Sequence, residues 1–153
     1  MSDPFRYYLR VRYGECDAQK VVFNSRYSEY VDIATSEFLR ALGFNQAFVS
    51  GELDFMLVKQ TVEWKAGARY DQVLELRMYA KHLGNTSFTL ATEFRVAGEE
   101  QTIVTAETVY VLVDGQSLRK IALPAGLRVA LERGAESAVT DHAGYLAAKG
   151  AGA

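Results

Sequence analysis

One cysteine, two prolines and two histidines are all that this chain of 153 residues contains of those types. A single thiol, Cys16, excludes an internal disulfide and suits a reducing compartment. His82 and His142 have no partner at metal-ligand spacing, so no metal site is expected. No apolar run approaches the ~20 residues that cross a bilayer. The first ten residues, MSDPFRYYLR, hold no apolar h-region of a secretory signal. A basic excess is also missing: 17 Lys and Arg stand against 19 Asp and Glu, for a net charge of −2. That argues against a broad nucleic-acid surface. No GxSxG elbow is present to build a serine hydrolase. These absences predict a cytoplasmic protein with neither a membrane nor a nucleic acid as partner, and with no cofactor.

What is present is an ordinary globular composition, 49% hydrophobic and 24% charged, long enough for one domain with a real core. Phe5 to Tyr13 reads as a strand rich in aromatic and β-branched residues. Gly14 to Asn24 is a loop. From Arg26 to Leu42, apolar residues at Tyr27, Tyr30, Val31, Ala34, Phe38, Ala41 and Leu42 follow helical spacing. Ile33 and Leu39 widen the stripe, which predicts a helix wrapped by other structure. Asn24 or Ser25 is suited to cap its start, and Gly43 to end it in the left-handed conformation.

After Gly51 the texture changes to alternating strands. Met56, Val58, Val62 and Trp64 are read on one face of the first, with Lys59, Thr61, Glu63 and Lys65 on the other. Turns at Gly67–Asp71, Gly84-Asn85 and Ala97–Glu100 separate the strands that follow, and Asp114-Gly115 ends the last one, Ile103 to Val113. Pro124 opens a short helix to Arg133. Residues 135–153, rich in Ala and Gly, are expected to form a flexible tail behind a single domain of residues 1–134. One strand, one long helix and four hairpin-linked strands make an α+β layer fold: a long central helix wrapped by an antiparallel sheet of about five strands.

Chemistry concentrates in YGECDAQKVVFNSRYSEYVDIATSEFLR, residues 13–40. It joins Asp17 to an apolar triplet and then to the start of the long helix. A helix start offers unbonded N–H groups and a positive partial charge, which hold an acid ionised and polarise a carbonyl. Taken alone, a single loop acid is more often solvated than catalytic. Cys16 beside it makes a poor nucleophile, because the acid disfavours the thiolate. Glu37 reads equally as a second polar group at the site or as an ordinary ion pair within the helix layer.

In this order the motifs resemble hotdog-fold acyl-CoA thioesterases of the 4-hydroxybenzoyl-CoA thioesterase-like group. Tyr13–Asp17 is similar to that family's strand end and catalytic acid. Val21-Val22-Phe23 with Tyr27 and Tyr30 is similar to its lead-in to the central helix. Val62-Glu63-Trp64, Ala68–Asp71, Gly84–Phe88 and Val109-Tyr110-Val111 with Asp114 continue the match over Phe5 to Arg128. There are departures. Gln19 and Lys20 stand where many members have glycine, Asn24 where several have His or Tyr, and Thr35 where an Arg often precedes the helix glutamate. Gly84-Asn85-Thr86 replaces a basic cluster of some members.

The resemblance implies hydrolysis of an acyl-CoA to a carboxylic acid and free CoA. Asp17 would act as general base or nucleophile, and the backbone N–H of Asn24 as oxyanion donor. Val22, Phe23 and Tyr27 would line the acyl pocket, while Lys59, Asn85, Thr86 and Ser87 would meet the CoA arm. It also implies a homo-oligomer, a dimer or a homotetramer built from dimers, with sites at the subunit interface. Two other readings are a non-catalytic acyl-thioester binding protein and an enoyl-thioester hydratase. The hydratase needs a histidine near the helix, and none occurs from Met1 to Lys81.

Overall fold

The computed structural model describes residues 3–151, with the side chain of Ala151 excepted. Strand β1 is Phe5–Arg10 and ends earlier than expected, because Tyr13–Glu15 form a single 3₁₀ turn. Helix α1, Arg26–Ala41, buries Tyr27, Tyr30, Val31, Ala34, Thr35, Phe38 and Leu39. Gly43 follows it at φ +88°, and the Phe44 N–H reaches back to the Leu39 carbonyl, so the helix stops where a left-handed residue permits it. Ile33 remains 38% exposed, so within one chain the helix is wrapped on one side only.

A five-residue helix, α2 (Asn45–Val49), follows; the sequence reading did not contain it. Then come β2 (Leu53–Trp64), β3 (Val73–Leu83), β4 (Ser87–Val96) and β5 (Thr102–Asp114), and helix α3 (Ala125–Arg133), which Pro124 opens as expected. All neighbouring pairs among β1 to β5 are antiparallel. Phe88, Leu90 and Phe94 of β4, Val104, Tyr110 and Leu112 of β5, and Leu74, Leu76 and Met78 of β3 share one core cluster with the buried stripe of α1, with almost no exposure. Burying one such side chain contributes about 1.5–3 kcal/mol. The sheet face bearing these residues and one stripe of α1 therefore form the core.

Two expectations are corrected. A bulge between Leu57 and Lys59 puts one extra residue into β2. A one-residue insertion reverses which side chains face the core. Gln60, Val62 and Trp64 are on the helix side, as expected of Val62 and Trp64, but Met56 and Val58, expected on the same face, are half-exposed, and Phe55 is the core residue before the bulge. Residues 135–151, expected to be a flexible tail, instead carry β6 (Val139–Asp141) and helix α4 (Tyr145–Ala151). Strand β6 pairs parallel with β1, and the Tyr145 ring stacks on Tyr8 at 5.2 Å. Tyr7 Oη and His142 Nδ1 are 2.7 Å apart. Gly152 and Ala153 lie outside the described residues, as do Met1 and Ser2.

The sheet order is β2-β5-β4-β3-β1-β6. The last segment thus covers the β1 edge. The β2 edge has no strand beside it among the described residues, and Met56, Leu57, Val58 and Trp64 on β2 are 48–56% exposed. Among the described residues no helix is long and apolar enough to cross a membrane.

Candidate active site

The loop after β1 folds back on itself before α1 begins. The Asp17 N–H donates to the Val21 carbonyl at 2.9 Å, and Cys16 pairs with Val22 as an isolated antiparallel bridge. A second set of bonds ties this loop to the turn between β2 and β3. The Val22 N–H donates to the Ala68 carbonyl, the Tyr70 N–H to the Lys20 carbonyl, and Val21 bridges Arg69. These contacts bring Asp17 and Asn24 to the rim of one open cavity of about 390 Å³, with Val21, Val22, Tyr27, Trp64 and Lys65–Gly67 as its other walls.

Asp17 is exposed, and its Oδ1 accepts the Gln19 N–H at 2.8 Å and the Val21 N–H at 3.5 Å. The carboxylate is therefore aimed by its own loop rather than by the helix. The helix start is open. Ser25 takes the cap position in helical backbone conformation but makes no side-chain cap bond. The Arg26 N–H turns back to the Phe23 carbonyl, while no acceptor among the described residues takes the Asn24 N–H. The capping expected of Ser25 or Asn24 is absent, and an unbonded N–H belongs to a residue that lines the cavity.

The other expected site residues divide. Val22 is buried and lines the cavity. Tyr27 lines it too, yet is 1% exposed; its hydroxyl accepts the Ala68 N–H at 3.0 Å and its ring packs edge-on to Tyr30, Trp64 and Phe94. It is a core residue with one edge on the site. Phe23 is 55% exposed and is not a cavity wall in the single chain.

Lys59 faces the outer side of the sheet, in a depression of about 430 Å³ that it shares with Lys81, His82 and Glu107, where Lys81 and Glu107 form an ion pair. Asn85, Thr86 and Ser87 are tied by backbone bonds to Leu123, Leu112 and Gly84. Their end of the sheet is the far one. Trp64 pairs with Val104 and that with Phe94, whereas Ser87 starts β4, roughly 20 Å away at about 3.3 Å per residue. Within one chain these residues do not meet Asp17.

Glu37 is an ion-pair residue, with Arg40 at 3.2 Å and His142 at 3.7 Å. Thr35 is buried against Tyr110 at 3.2 Å. Burial, with Glu15 and Asp17 nearby, pushes the Cys16 thiol up, which makes it a weak nucleophile. Among the described residues no group of three acids, histidines or cysteines is placed to hold a metal.

The family model of the thioesterase-like superfamily matches residues 11–131. The chain belongs to that superfamily. It is 34% identical over 122 residues to the acyl-CoA thioester hydrolase YbgC of Escherichia coli O6:H1, covering 78% of this chain and 90% of the relative. A gentisyl-coenzyme A thioesterase superposes with a TM-score of 0.75 at 27% identity, over 82% of this chain and 98% of its own. A hypothetical protein from Aquifex aeolicus does so at 0.77 and 29%, over 84% and 99%. The hotdog fold expected from the motifs is borne out. In this superfamily member β6 and α4 lie beyond the matched residues.

One departure from the family pattern leaves a mark on the backbone. Lys20, in a position where many members have glycine, sits at φ +63°. The left-handed conformation costs an L-residue roughly 1–2 kcal/mol, and glycine gives back part of that gain through unfolded-chain entropy. Lys20→Gly is expected to raise Tm by roughly 1–3 °C, reading a net gain of about 0.5–1 kcal/mol on a chain of this length. Calorimetry checks it; a lower Tm means that the Lys20 side chain stabilises the loop.

Proposed function

We propose that the chain hydrolyses an acyl-CoA thioester to a carboxylic acid and free CoA, using Asp17 and the Asn24 N–H. The observation that carries this reading is the shared rim: a loop carboxylate and an unbonded helix-start N–H at one cavity. In the transition state the thioester oxygen gains negative charge. The Asn24 N–H stabilises it, and one such donor contributes about 3 kcal/mol. Asp17 either takes the proton of an attacking water or attacks the carbonyl itself to give an anhydride that water then opens. Both routes release CoA as its thiol and need the carboxylate ionised. Val22 and the edge of Tyr27 supply the apolar wall for the acyl group. The likeness to acyl-CoA thioester hydrolases supports the substrate class, and the lone thiol suits a cytoplasmic enzyme.

The CoA arm is read as lying on a second copy. Pairing of β2 with a partner's β2 in antiparallel fashion sets the Leu53 end of one strand beside the Trp64 end of the other. That carries the partner's Asn85, Thr86 and Ser87 towards this chain's Asp17 and leaves Lys59 near the seam. The exposed apolar residues of the β2 edge support such a dimer, and pairing of dimers into a tetramer is the further step.

Hydrolysis is tested by thiol release across a panel of acyl-CoA substrates. A folded protein that binds acyl-CoA without releasing thiol is a binding module instead. Histidine chemistry of a hydratase finds no support in the geometry, since His82 lies in the outer depression and His142 against Tyr7 and Glu37. Phe23 is assigned to the acyl group through its exposure beside Asn24. Phe23→Ala is expected to change the ranking of substrates with Tm shifted by no more than about 1–2 °C, as for a surface side chain. Equal slowing of all substrates with a large fall in Tm marks Phe23 as structural.

A further inference from the structure

Glu15 is buried to 6% exposure in a loop whose neighbours Tyr13, Gly14 and Asp17–Lys20 are exposed. Its Oε1 accepts the Arg12 N–H at 2.8 Å and the Tyr30 hydroxyl at 2.9 Å. Its Oε2 accepts Arg12 Nε at 3.0 Å and Nη2 at 2.7 Å. Its own carbonyl accepts the Phe23 N–H at 3.0 Å. One residue thus ties the end of β1, the first turns of α1 and the lead-in to α1 together.

Burial pushes the Glu15 carboxyl up, but the Arg12 and Tyr30 hydrogen bonds outweigh it and hold it below the usual carboxylate range. The Arg12 side chain is itself largely exposed, so what is buried is the carboxylate, and burying a charge costs free energy unless it is paired and hydrogen-bonded. What a fully bonded carboxylate supplies is a fixed geometry. Here the fixed segments carry the site. Asp17 follows Glu15 after one residue, and Asn24 follows the Phe23 that Glu15 holds. The Cys16–Val22 bridge lies between them.

We propose that Glu15 is a positioning residue for thioester hydrolysis: through Arg12, Tyr30 and Phe23 it sets the separation of the Asp17 carboxylate and the Asn24 N–H, without touching substrate. This rests on the roles proposed above for Asp17 and Asn24.

The test uses the full-length protein with Glu15→Gln, Tyr30→Phe and Asp17→Asn side by side. Glu15→Gln keeps the shape of the side chain but turns an acceptor towards Arg12 into a donor. Its kcat is expected to fall about ten- to fiftyfold, within the cost of a sub-ångström to 1 Å misplacement. Binding of a non-hydrolysable acyl-CoA analogue should stay within about twofold, since uniform binding is untouched. Tyr30→Phe, which removes one hydroxyl and keeps the ring in the core, should lower kcat about three- to tenfold by the same split. It keeps the idea testable if Glu15→Gln fails to fold.

A kcat within twofold of wild type in folded Glu15→Gln or Tyr30→Phe, with Asp17→Asn inactive, overturns the proposal and leaves the site reading standing. So does a loss of kcat that merely matches the loss of folded, analogue-binding protein. Full activity in Asp17→Asn removes the site reading itself.

Discussion

Asp17→Asn is expected to cut kcat for thioester hydrolysis at least about a hundredfold, the low end for losing a positioned acid–base group. The substitution is nearly silent structurally. Asp17 is exposed, and its Oδ1 accepts the Gln19 and Val21 N–H groups, which an amide oxygen accepts equally well. The loop and the open start of α1 should therefore persist, and with them the Asn24 donor. What disappears is the negative charge and the basicity that either route requires. Binding of a non-hydrolysable analogue should hold or tighten, because a negative charge near an anionic ligand has gone. Free-thiol release measures kcat, and calorimetry of analogue binding is the control. Near-normal turnover in a folded Asp17→Asn protein takes the role away from Asp17.

Much of this arrangement was legible in the residues because it is encoded locally. The helical spacing from Tyr27 to Phe38, Gly43 beyond it, and turn residues between alternating strands each specify their element without help from distant parts. The misses have a common cause in non-local structure. Helix α2 is too short for periodicity to announce it. The bulge in β2 is a matter of register against β5, and no single residue of β2 signals it. The segment after Gly134 mixes alanines with glycines and has few large apolar residues, so no periodicity marks a packed element there. It is ordered by pairing with β1 and by the Tyr7 and Tyr8 contacts.

The site shows the same division. Asp17, Val22 and Asn24, which the structure brings to one cavity, lie in one contiguous motif. The walls Lys65, Ala66 and Gly67 lie far from it in the chain and reach Asp17 only through the Val21–Arg69 and Val22–Ala68 contacts. Trp64 did stand in a motif of the resemblance, but without a role. Glu15 stood in the motif as well, and only its burial separates it from an ordinary loop acid.

Met56→Lys combined with Val58→Lys is expected to yield a folded but inactive monomer. Both side chains lie on the free β2 edge, at 50% and 56% exposure, so a single chain loses little core on their replacement. In an antiparallel β2–β2 pair with its twofold axis near the middle of the strand, these positions approach their own copies. Four lysines then meet across the seam, and charged edge residues are a recognised block to strand pairing. In the dimer proposed above, separation would remove the partner's Asn85–Ser87 turn from the Asp17 cavity, which one chain leaves open beside a half-exposed Trp64. Turnover should drop at least about a hundredfold, as expected when substrate is no longer held in place. Sedimentation in dilute solution reads the assembly, and circular dichroism confirms the protomer's fold. A variant that stays dimeric moves the interface to another face. A monomer that keeps full turnover shows instead that one chain holds the whole site, and that Lys59, Asn85, Thr86 and Ser87 have no part in binding CoA across the seam.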